Sequence, residues 1–434
     1  MSDSKKNGSG RRAVVVSGNR TPFVKSFAQY MGMDTIALGV QAVQGLLART
    51  GLSPAEIDGV VWGGVLLPPM APNVGREIAI DVGLPHAAEA YTVTRACASG
   101  LQAITDAAAK IERGEADVLI AGGSDSTSNA TLAMPESFVR AVAPYAMGRS
   151  KGPRAMFGML GKLMPPHRML PRMPRVAERS TGEVMGESAE KMAAFYGITR
   201  AAQDEFSVRS HHRAAAAWES GRFDEEVTPI DQGDATVARD TIVRGDTSAE
   251  KMARLRAVFA EDGTLTAANS SALTDGASAT LLMSEEKARA LGYTPLAAFR
   301  SWAYVGVDPA HQVLKGPALS MPLALQRAGM RLDDVSIVDM HEAFSAQVLS
   351  ILALLESDDF AVKELGLKKA VGSIDPARLN VHGGSVAIGH PFAATGSRMV
   401  NTMARELHSS DLETCLLGIC AAGGLGASAI LERV

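Results

Sequence analysis

Twice in this chain a short apolar run passes through a chemically reactive residue into a helix of small residues, then out into a second apolar run. In the first instance Val93-Thr94-Arg95-Ala96 leads to Cys97. Leu101, Ile104, Ala108 and Ile111 then recur at helical spacing until Gly114, and Asp117 to Gly123 reads as a strand. In the second, Leu379-Asn380-Val381 precedes Gly389-His390-Pro391-Phe392-Ala393-Ala394-Thr395-Gly396, Met399, Val400, Met403 and Leu407 make the helical stripe, and Cys415 to Cys420 is the closing strand. Strand and helix alternating in this way predict an α/β protein with a mostly parallel sheet and helices on its faces. Cys97 to Gly122 spans 25 positions and His390 to Cys420 spans 30, so the two passages correspond in architecture rather than in sequence. If the two halves pack face to face, Cys97 and His390 each head a helix and the helix starts can converge on one site.

The remaining elements follow the same grammar. Ala13 to Ser17 reads as a strand turned by Arg20-Thr21-Pro22, and Asp34 can cap a helix whose apolar stripe is Ile36, Val40, Val43 and Leu47 up to Gly51. Ser53-Pro54-Ala55-Glu56 has the form of a capping box, and Gly59 to Gly64 that of a strand. A cysteine at a helix N-terminus is favoured as thiolate by the helix dipole, the form in which cysteine attacks; the bland alternative is a small buried apolar residue. His341-Glu342-Ala343-Phe344 follows the strand Ile337-Val338-Asp339-Met340, and strand ends are where open α/β sheets place their chemistry, although a histidine near a sheet is more often structural. Cys420-Ala421-Ala422-Gly423-Gly424-Leu425-Gly426 is a cysteine before a glycine-rich turn, able to aim backbone N–H groups at a developing oxyanion or to be only a turn. Cys415, five residues earlier on the same strand, faces the other way and reads as core.

Composition mainly excludes. A length of 434 residues allows two or three domains, and a formal charge of −4 gives no support to nucleic-acid binding. The three cysteines at 97, 415 and 420 form no CxxC pair, which argues against a disulfide framework and a zinc ribbon; no metal is expected, and reduced, cytoplasmic thiols are the simpler reading. Met1 to Arg12 is polar with Asp3 among its basic residues, unlike a secretory signal or transit peptide, and no apolar run reaches the ~18 residues of a membrane span. Residues 145 to 180 stand apart, with Arg149, Lys151, Arg154, Lys162, Arg168, Arg172, Arg175 and Arg179 against the single acid Glu178, and five prolines. They read as an excursion from the core that serves a phosphate-rich ligand, an anionic membrane surface or a partner, or as a solvated basic loop. Residues 186 to 220 are helical in pattern and could complete a loop domain ending near Ala257.

Taken together these motifs resemble the thiolase family over nearly the whole length: Arg20-Thr21-Pro22, the Cys97 segment, Asn269-Ser270-Ser271 with Thr274-Asp275-Gly276, Gly389-His390-Pro391 and the Cys420 turn. The resemblance is strongest to the β-subunit type of the fatty-acid oxidation trifunctional complex, through His341-Glu342-Ala343-Phe344 where most thiolases have Asn-Glu-Ala-Phe, the run from His390 to Gly396, and Cys420-Ala421-Ala422-Gly423-Gly424. Ala422 departs from the family pattern Cys-x-Gly-Gly-Gly and restricts the backbone angles available there.

The resemblance implies a thiolase fold of two similar α-β-α-β-α layered halves with an inserted loop domain: residues 1–128 completed by about 258–294, the loop domain 129–257, and residues 295–434. It implies coenzyme A-dependent cleavage of 3-ketoacyl-CoA to acetyl-CoA and a shortened acyl-CoA in fatty-acid β-oxidation. Cys97 would be the nucleophile, His390 its activator and Cys420 the proton donor, with the enolate oxygen held by His390 and a water near His341. The backbone N–H groups of Cys97 and Ala422 would form a second oxyanion hole, while Ser271 would touch the pantetheine arm, Arg244 the adenine end of coenzyme A, and Met185 the acyl pocket. Coenzyme A enters as substrate, with no permanently bound cofactor. A homodimer or homotetramer is implied, with a hydratase–dehydrogenase α subunit and a peripheral membrane contact as further partners. Three rivals are a biosynthetic acetoacetyl-CoA thiolase with the same residues, a 3-ketoacyl synthase, against which the second cysteine argues, and a non-catalytic acyl-CoA-binding subunit.

Overall fold

The computed structural model describes residues 10–164, 170–171, 177–233 and 235–434. Contacts divide the chain into two compact units, Ala130–Val176 and the remainder. Twelve strands are found among the described residues: β1 (Ala13–Arg20), β2 (Val24–Lys25), β3 (Gly59–Gly63), β4 (Glu89–Val93), β5 (Val118–Asp125), β6 (Ile230–Asp231), β7 (Thr236–Val237), β8 (Thr274–Ser284), β9 (Ala297–Gly306), β10 (Ile337–Met340), β11 (Thr414–Ala421) and β12 (Leu425–Arg433). All but the small β6–β7 pair belong to one sheet, in the order β10-β11-β12-β9-β1-β8-β5-β3-β4, with β2 attached to β8.

That order contains the same unit twice. One half-sheet runs β1-β8-β5-β3-β4; the other runs β9-β12-β11-β10, and its fifth position is held by Leu379, which bridges Val338 in parallel. β1 and β9 join the halves through Val14↔Ala298 and Val15↔Ala297. Between the half-sheets lie helices Ser99–Glu112 and Ala393–Ser409, which present Leu101, Ile104, Ala108, Ile111, Met399, Val400, Met403 and Leu407 to a core closed by Leu119 and Ala121 of β5 and Leu417 and Ile419 of β11. The far face of the first half-sheet is covered by helices Thr35–Thr50 and Val74–Asp81 over Trp62 and Ile120, and that of the second by Gly316–Ala328 and Ser345–Leu355 over Met340 and Leu416. The result is five layers, α-β-α-β-α. The central helices cross where neither can carry a side chain: a Cβ on Gly100 would stand 2.2 Å from the Ala393 carbonyl oxygen, and one on Gly396 would stand 2.5 Å from Leu101 N.

The sheet is not mostly parallel. Only β3–β4, β3–β5 and β10–β11 run parallel; β8, β9 and β12 enter antiparallel. For β12 the cause is local, since Gly423 (φ 86°) and Gly424 (φ 67°) take the left-handed angles that fold β11 straight back into a hairpin. Asp34 does cap helix Thr35–Thr50, accepting from Ala37 N–H at 2.8 Å, and Gly51 ends it at φ 65°. The buried face of that helix is Leu38, Ala42, Val43 and Leu46, while Ile36, Val40 and Leu47 are half-buried, because Gly39 and Gly45 turn the smooth side inward. Ser53 caps only a single 3-10 turn, Pro54–Glu56, accepting from Ala55 N–H at 3.3 Å, before β3 begins. Cys415 and Cys420 do face opposite sides, one into the central core and the other into the outer core.

Residues 177–257, expected within a loop domain of 129–257, pack in the larger unit: Met192 and Phe206 share the core of Met340, and Trp218 and Phe223 that of Ile388. The unit Ala130–Val176 contains helices Glu136–Ala146 and Pro153–Lys162, which pack on each other. Of the basic excursion, Arg168, Arg172 and Arg175 lie outside the described residues. Among the described residues no helix is long and apolar enough to cross a membrane.

Candidate active site

The duplicated plan brings the starts of the two central helices together. Cys97 is reached through Ala96, whose φ of 45° is unusual for a residue with a side chain. The tight bend is held from inside: Arg95 N–H donates to Ser99 Oγ at 2.7 Å, and the Ser99 hydroxyl donates to the Ala96 carbonyl at 2.6 Å. On the other side His390 leads into its helix through Phe392, at φ 25°, and its backbone N–H donates to Thr274 Oγ1 at 2.8 Å. The two positions thus meet with His390 Nε2 3.2 Å from Cys97 Sγ. His390 Nδ1 lies 2.7 Å from Thr395 Oγ1; assigning the ring proton to Nδ1 leaves Nε2 as acceptor for the thiol.

Burial decides the charge state of this pair. It pushes the Cys97 thiol up to about 12, against the backbone N–H groups of Ala422 and Cys97 itself, which hydrogen-bond the sulfur and favour the thiolate. It also pulls His390 down to about 3, helped by the charge of Arg398. The resting pair is therefore thiol and neutral imidazole. The helix start was expected to favour a thiolate; burial acts in the opposite direction on this sulfur. Cys97 nonetheless keeps some solvent-accessible surface, whereas Cys415 and Cys420 are buried.

His341 follows β10 and donates its backbone N–H to the Gly418 carbonyl at 2.8 Å. Its ring stands 4.1 Å from that of His390, centroid to centroid, its Nδ1 is 2.8 Å from Ser385 Oγ, and its buried Nε2 has no hydrogen-bond partner. Burial, then the neighbouring His390 and Arg398, hold it well below the usual imidazole range. Cys420 ends the same sheet region on β11, with its thiol raised by burial and by the nearby Cys97. Ala422 is not among the residues with left-handed angles; these fall on Gly423 and Gly424, so alanine fits and its N–H still reaches the Cys97 sulfur.

The outer residues are placed unequally. Ser271 is half-buried beside the His341 segment, its N–H donating to Ala343 O at 2.9 Å, next to the bridge between Ser270 and Phe344. Met185 begins helix Met185–Phe195 and packs against the core that holds Phe344 and Cys420. Arg244 is exposed and is held by its backbone N–H to His211 Nδ1 at 3.2 Å. Sequence reasoning passed over Asp125, at the end of β5, which accepts from Val65 and Leu66 N–H at 3.0 and 2.7 Å and from Ala393 N–H at 2.9 Å. Burial raises it to about 7 despite these donors. It ties the start of the His390 helix to the Cys97 half, and its place at a strand end was the available signal. Glu342 is buried likewise, accepting from Asn380 Nδ2 at 2.6 Å, the Ser210 hydroxyl at 2.7 Å and Val386 N–H at 3.1 Å.

A nucleophilic cysteine facing an oriented imidazole across two duplicated halves defines a thiolase-type acyl-transfer fold, and the comparisons agree: the family described as "Thiolase, N-terminal domain" matches residues 13–286 and "Thiolase, C-terminal domain" residues 293–433. This chain belongs to the thiolase family. Its relatives include a 3-ketoacyl-CoA thiolase of Shewanella pealeana, 44% identical over 438 residues with all of both chains covered, and one of Pectobacterium atrosepticum, 45% identical over 426 residues covering 98% of this chain and 97% of the other. Among solved structures, human mitochondrial 3-ketoacyl-CoA thiolase superposes with a TM-score of 0.82 at 28% identity, and Bacillus anthracis acetyl-CoA acetyltransferase with 0.82 at 31%, each over 98% of this chain and 99% of the other.

Proposed function

We propose that this chain is a 3-ketoacyl-CoA thiolase, an acyltransferase of fatty-acid β-oxidation that splits 3-ketoacyl-CoA with coenzyme A through an acyl-cysteine. The observation that carries the reading is the 3.2 Å approach of His390 Nε2 to Cys97 Sγ, with the Cys420 thiol held up by burial and by the neighbouring Cys97. His390 takes the thiol proton as the sulfur attacks the ketone carbon. The bond between that carbon and the α-carbon then breaks, the electron pair leaves as the acetyl-CoA enolate, and Cys420 supplies the proton that makes acetyl-CoA. The thiol of coenzyme A displaces the acyl group from Cys97, releasing an acyl-CoA two carbons shorter.

Because the pair rests uncharged, charge develops only as the reaction proceeds, where fixed donors are most effective. His390 Nε2 and a water on the unpartnered His341 Nε2 would face the enolate oxygen, and the N–H groups of Cys97 and Ala422 the tetrahedral oxyanion. Ser271 would meet the pantetheine arm, Met185 the acyl chain and Arg244 the adenine end. Coenzyme A comes and goes as substrate, and no permanently bound cofactor is invoked. A cytoplasmic homodimer or homotetramer is the assembly this reading entails. The exposed apolar and basic side chains among residues 130–164 suit contact with an anionic membrane surface or a hydratase–dehydrogenase α subunit.

The test is a panel of 3-ketoacyl-CoA thioesters from four to sixteen carbons, followed by loss of the enolate absorbance, with acylated cysteine located by mass spectrometry. Turnover across the longer chains, acyl label on Cys97 and inactivity of Cys97→Ala are expected. Cys420→Ser should still be acylated at Cys97 yet lose exchange of the acetyl-CoA α-proton. Turnover confined to the four-carbon substrate would favour the biosynthetic reading, and label on Cys415 or Cys420 would overturn the assignment.

A further inference from the structure

The cluster of Cys97, His341 and His390 has the makings of a second chemistry, unrelated to carbonyl attack. One ligand atom from each residue lies within 4.8 Å of the other two, and all three side chains are tethered to different parts of the fold. We propose that this trio is a binding site for a borderline-soft divalent cation, Zn²⁺ above all, and that occupancy by the cation switches acyl transfer off.

The geometry fits. Zinc takes thiolate at about 2.3 Å and imidazole at about 2.0–2.1 Å in a tetrahedron, so its ligand atoms sit roughly 3.3–3.7 Å apart. The present 3.2 Å between Cys97 Sγ and His390 Nε2 is close to that spacing, and the trio, within 4.8 Å, has to draw in by at most about 1 Å to reach it. Two imidazoles and one thiolate supply three ligands and leave the fourth position open to water, and Cys97 retains some solvent-accessible surface. The outer partners are also those of a metal site: Ser385 Oγ meets His341 Nδ1 at 2.8 Å and Thr395 Oγ1 meets His390 Nδ1 at 2.7 Å, holding each ring by Nδ1 so that Nε2 is the atom left to meet the cation, which in His390 takes the place of the Cys97 thiol proton. His341 Nε2 is the independent pointer, because it is fully enclosed, belongs to a ring 4.1 Å from that of His390 and has no hydrogen-bond partner.

Binding exchanges one ion for another without redox change. The Cys97 S–H bond breaks, the sulfur–metal bond forms, and the proton leaves to solvent. The sulfur pair is then engaged and His390 Nε2 is no longer available as a base, so the cation and the acyl substrate exclude one another.

The full chain, stripped with a chelator, is titrated with Co²⁺ as a spectroscopic stand-in and then with Zn²⁺. One equivalent of Co²⁺ should produce the near-ultraviolet thiolate-to-cobalt band, and Zn²⁺ should abolish that band, slow iodoacetamide labelling of Cys97 and inhibit turnover reversibly with chelator. His341→Asn, which restores the residue more usual in the family, should weaken Zn²⁺ binding by at least about tenfold, the lower end of what losing even an outer partner costs. Wild-type protein already alkylated at Cys97 should bind none, which separates loss of a ligand from loss of the fold. Absence of the thiolate band, unchanged labelling of Cys97 at one equivalent of Zn²⁺, or equal affinity in His341→Asn would overturn the proposal. The band and the labelling are read on the protein itself and stand apart from whether 3-ketoacyl-CoA is the substrate.

Discussion

His390 acts uncharged, and that has a cost that can be read as a pH dependence. Its folded value of about 3 lies below the ordinary 6.5, so between those limits the unfolded chain binds the extra proton. Stability attached to this ring is complete above pH 6.5 and is lost as pH falls toward 3, at about 1.4 kcal/mol for each pH unit well inside the window. His341 and His211, also held low by burial, add to the same slope, so the informative quantity is a difference between proteins. His390→Asn should melt at a temperature that gains on wild type as the pH is lowered from 7 to 5, whereas parallel melting curves would mean that the ring titrates normally. At this scale the sequence displayed Cys97, His390, Cys420 and His341, because reactive side chains sit beside glycine, proline or strand ends that mark special backbone. It did not display that Cys97 rests as a thiol, since desolvation depends on everything packed around it. Nor did it display Asp125, Ser385 and Thr395, whose types are ordinary; Asp125 and Ser385 also find their partners far off in the chain.

The central helices are the elements on which the site depends. Their crossing at Gly100 and Gly396 sets how far Cys97 stands from His390, three residues before one glycine and six before the other. Gly100→Ala would drive a methyl group into the Ala393 carbonyl, 2.2 Å away, at the first turn of the His390 helix. Overpacking of this kind costs roughly 1–3 kcal/mol, and here the relief comes by moving the two helices apart. The expected outcome is a lowered melting temperature together with a loss of turnover larger than the loss of substrate affinity. Gly158→Ala, on a helix surface with nothing within 4 Å, is the control and should be neutral or stabilising. Helical periodicity displayed these elements well, as Met399, Val400, Met403 and Leu407 all face the core. It misplaced the buried face of Thr35–Thr50, where glycines rather than branched residues mark the contact, and it said nothing of strand direction, which follows from the hairpin at Gly423-Gly424 and from long connections.

At the scale of the whole molecule, the described residues of the unit Ala130–Val176 expose several large apolar side chains. Met147, Phe157, Leu160 and Met164 are exposed, among the exposed basic residues Arg140, Arg149, Lys151, Arg154 and Lys162. Each basic residue near an anionic surface contributes about 1 kcal/mol, so co-sedimentation with phosphatidylserine vesicles at low salt is expected and should weaken in Phe157→Ser/Leu160→Ser. Equal sedimentation of the two proteins would leave these side chains without a role at membranes. The larger unit has a different consequence. Nucleophile and base are separated by 293 residues, and the strand β1 that opens the fold pairs with β8 and β9, far along the chain. At a synthesis rate of ~5–20 residues per second, a ribosome needs roughly 15–60 s after making Cys97 before His390 exists, so the cysteine spends that interval as an ordinary thiol and acquires its chemistry only when the last fraction of the chain docks.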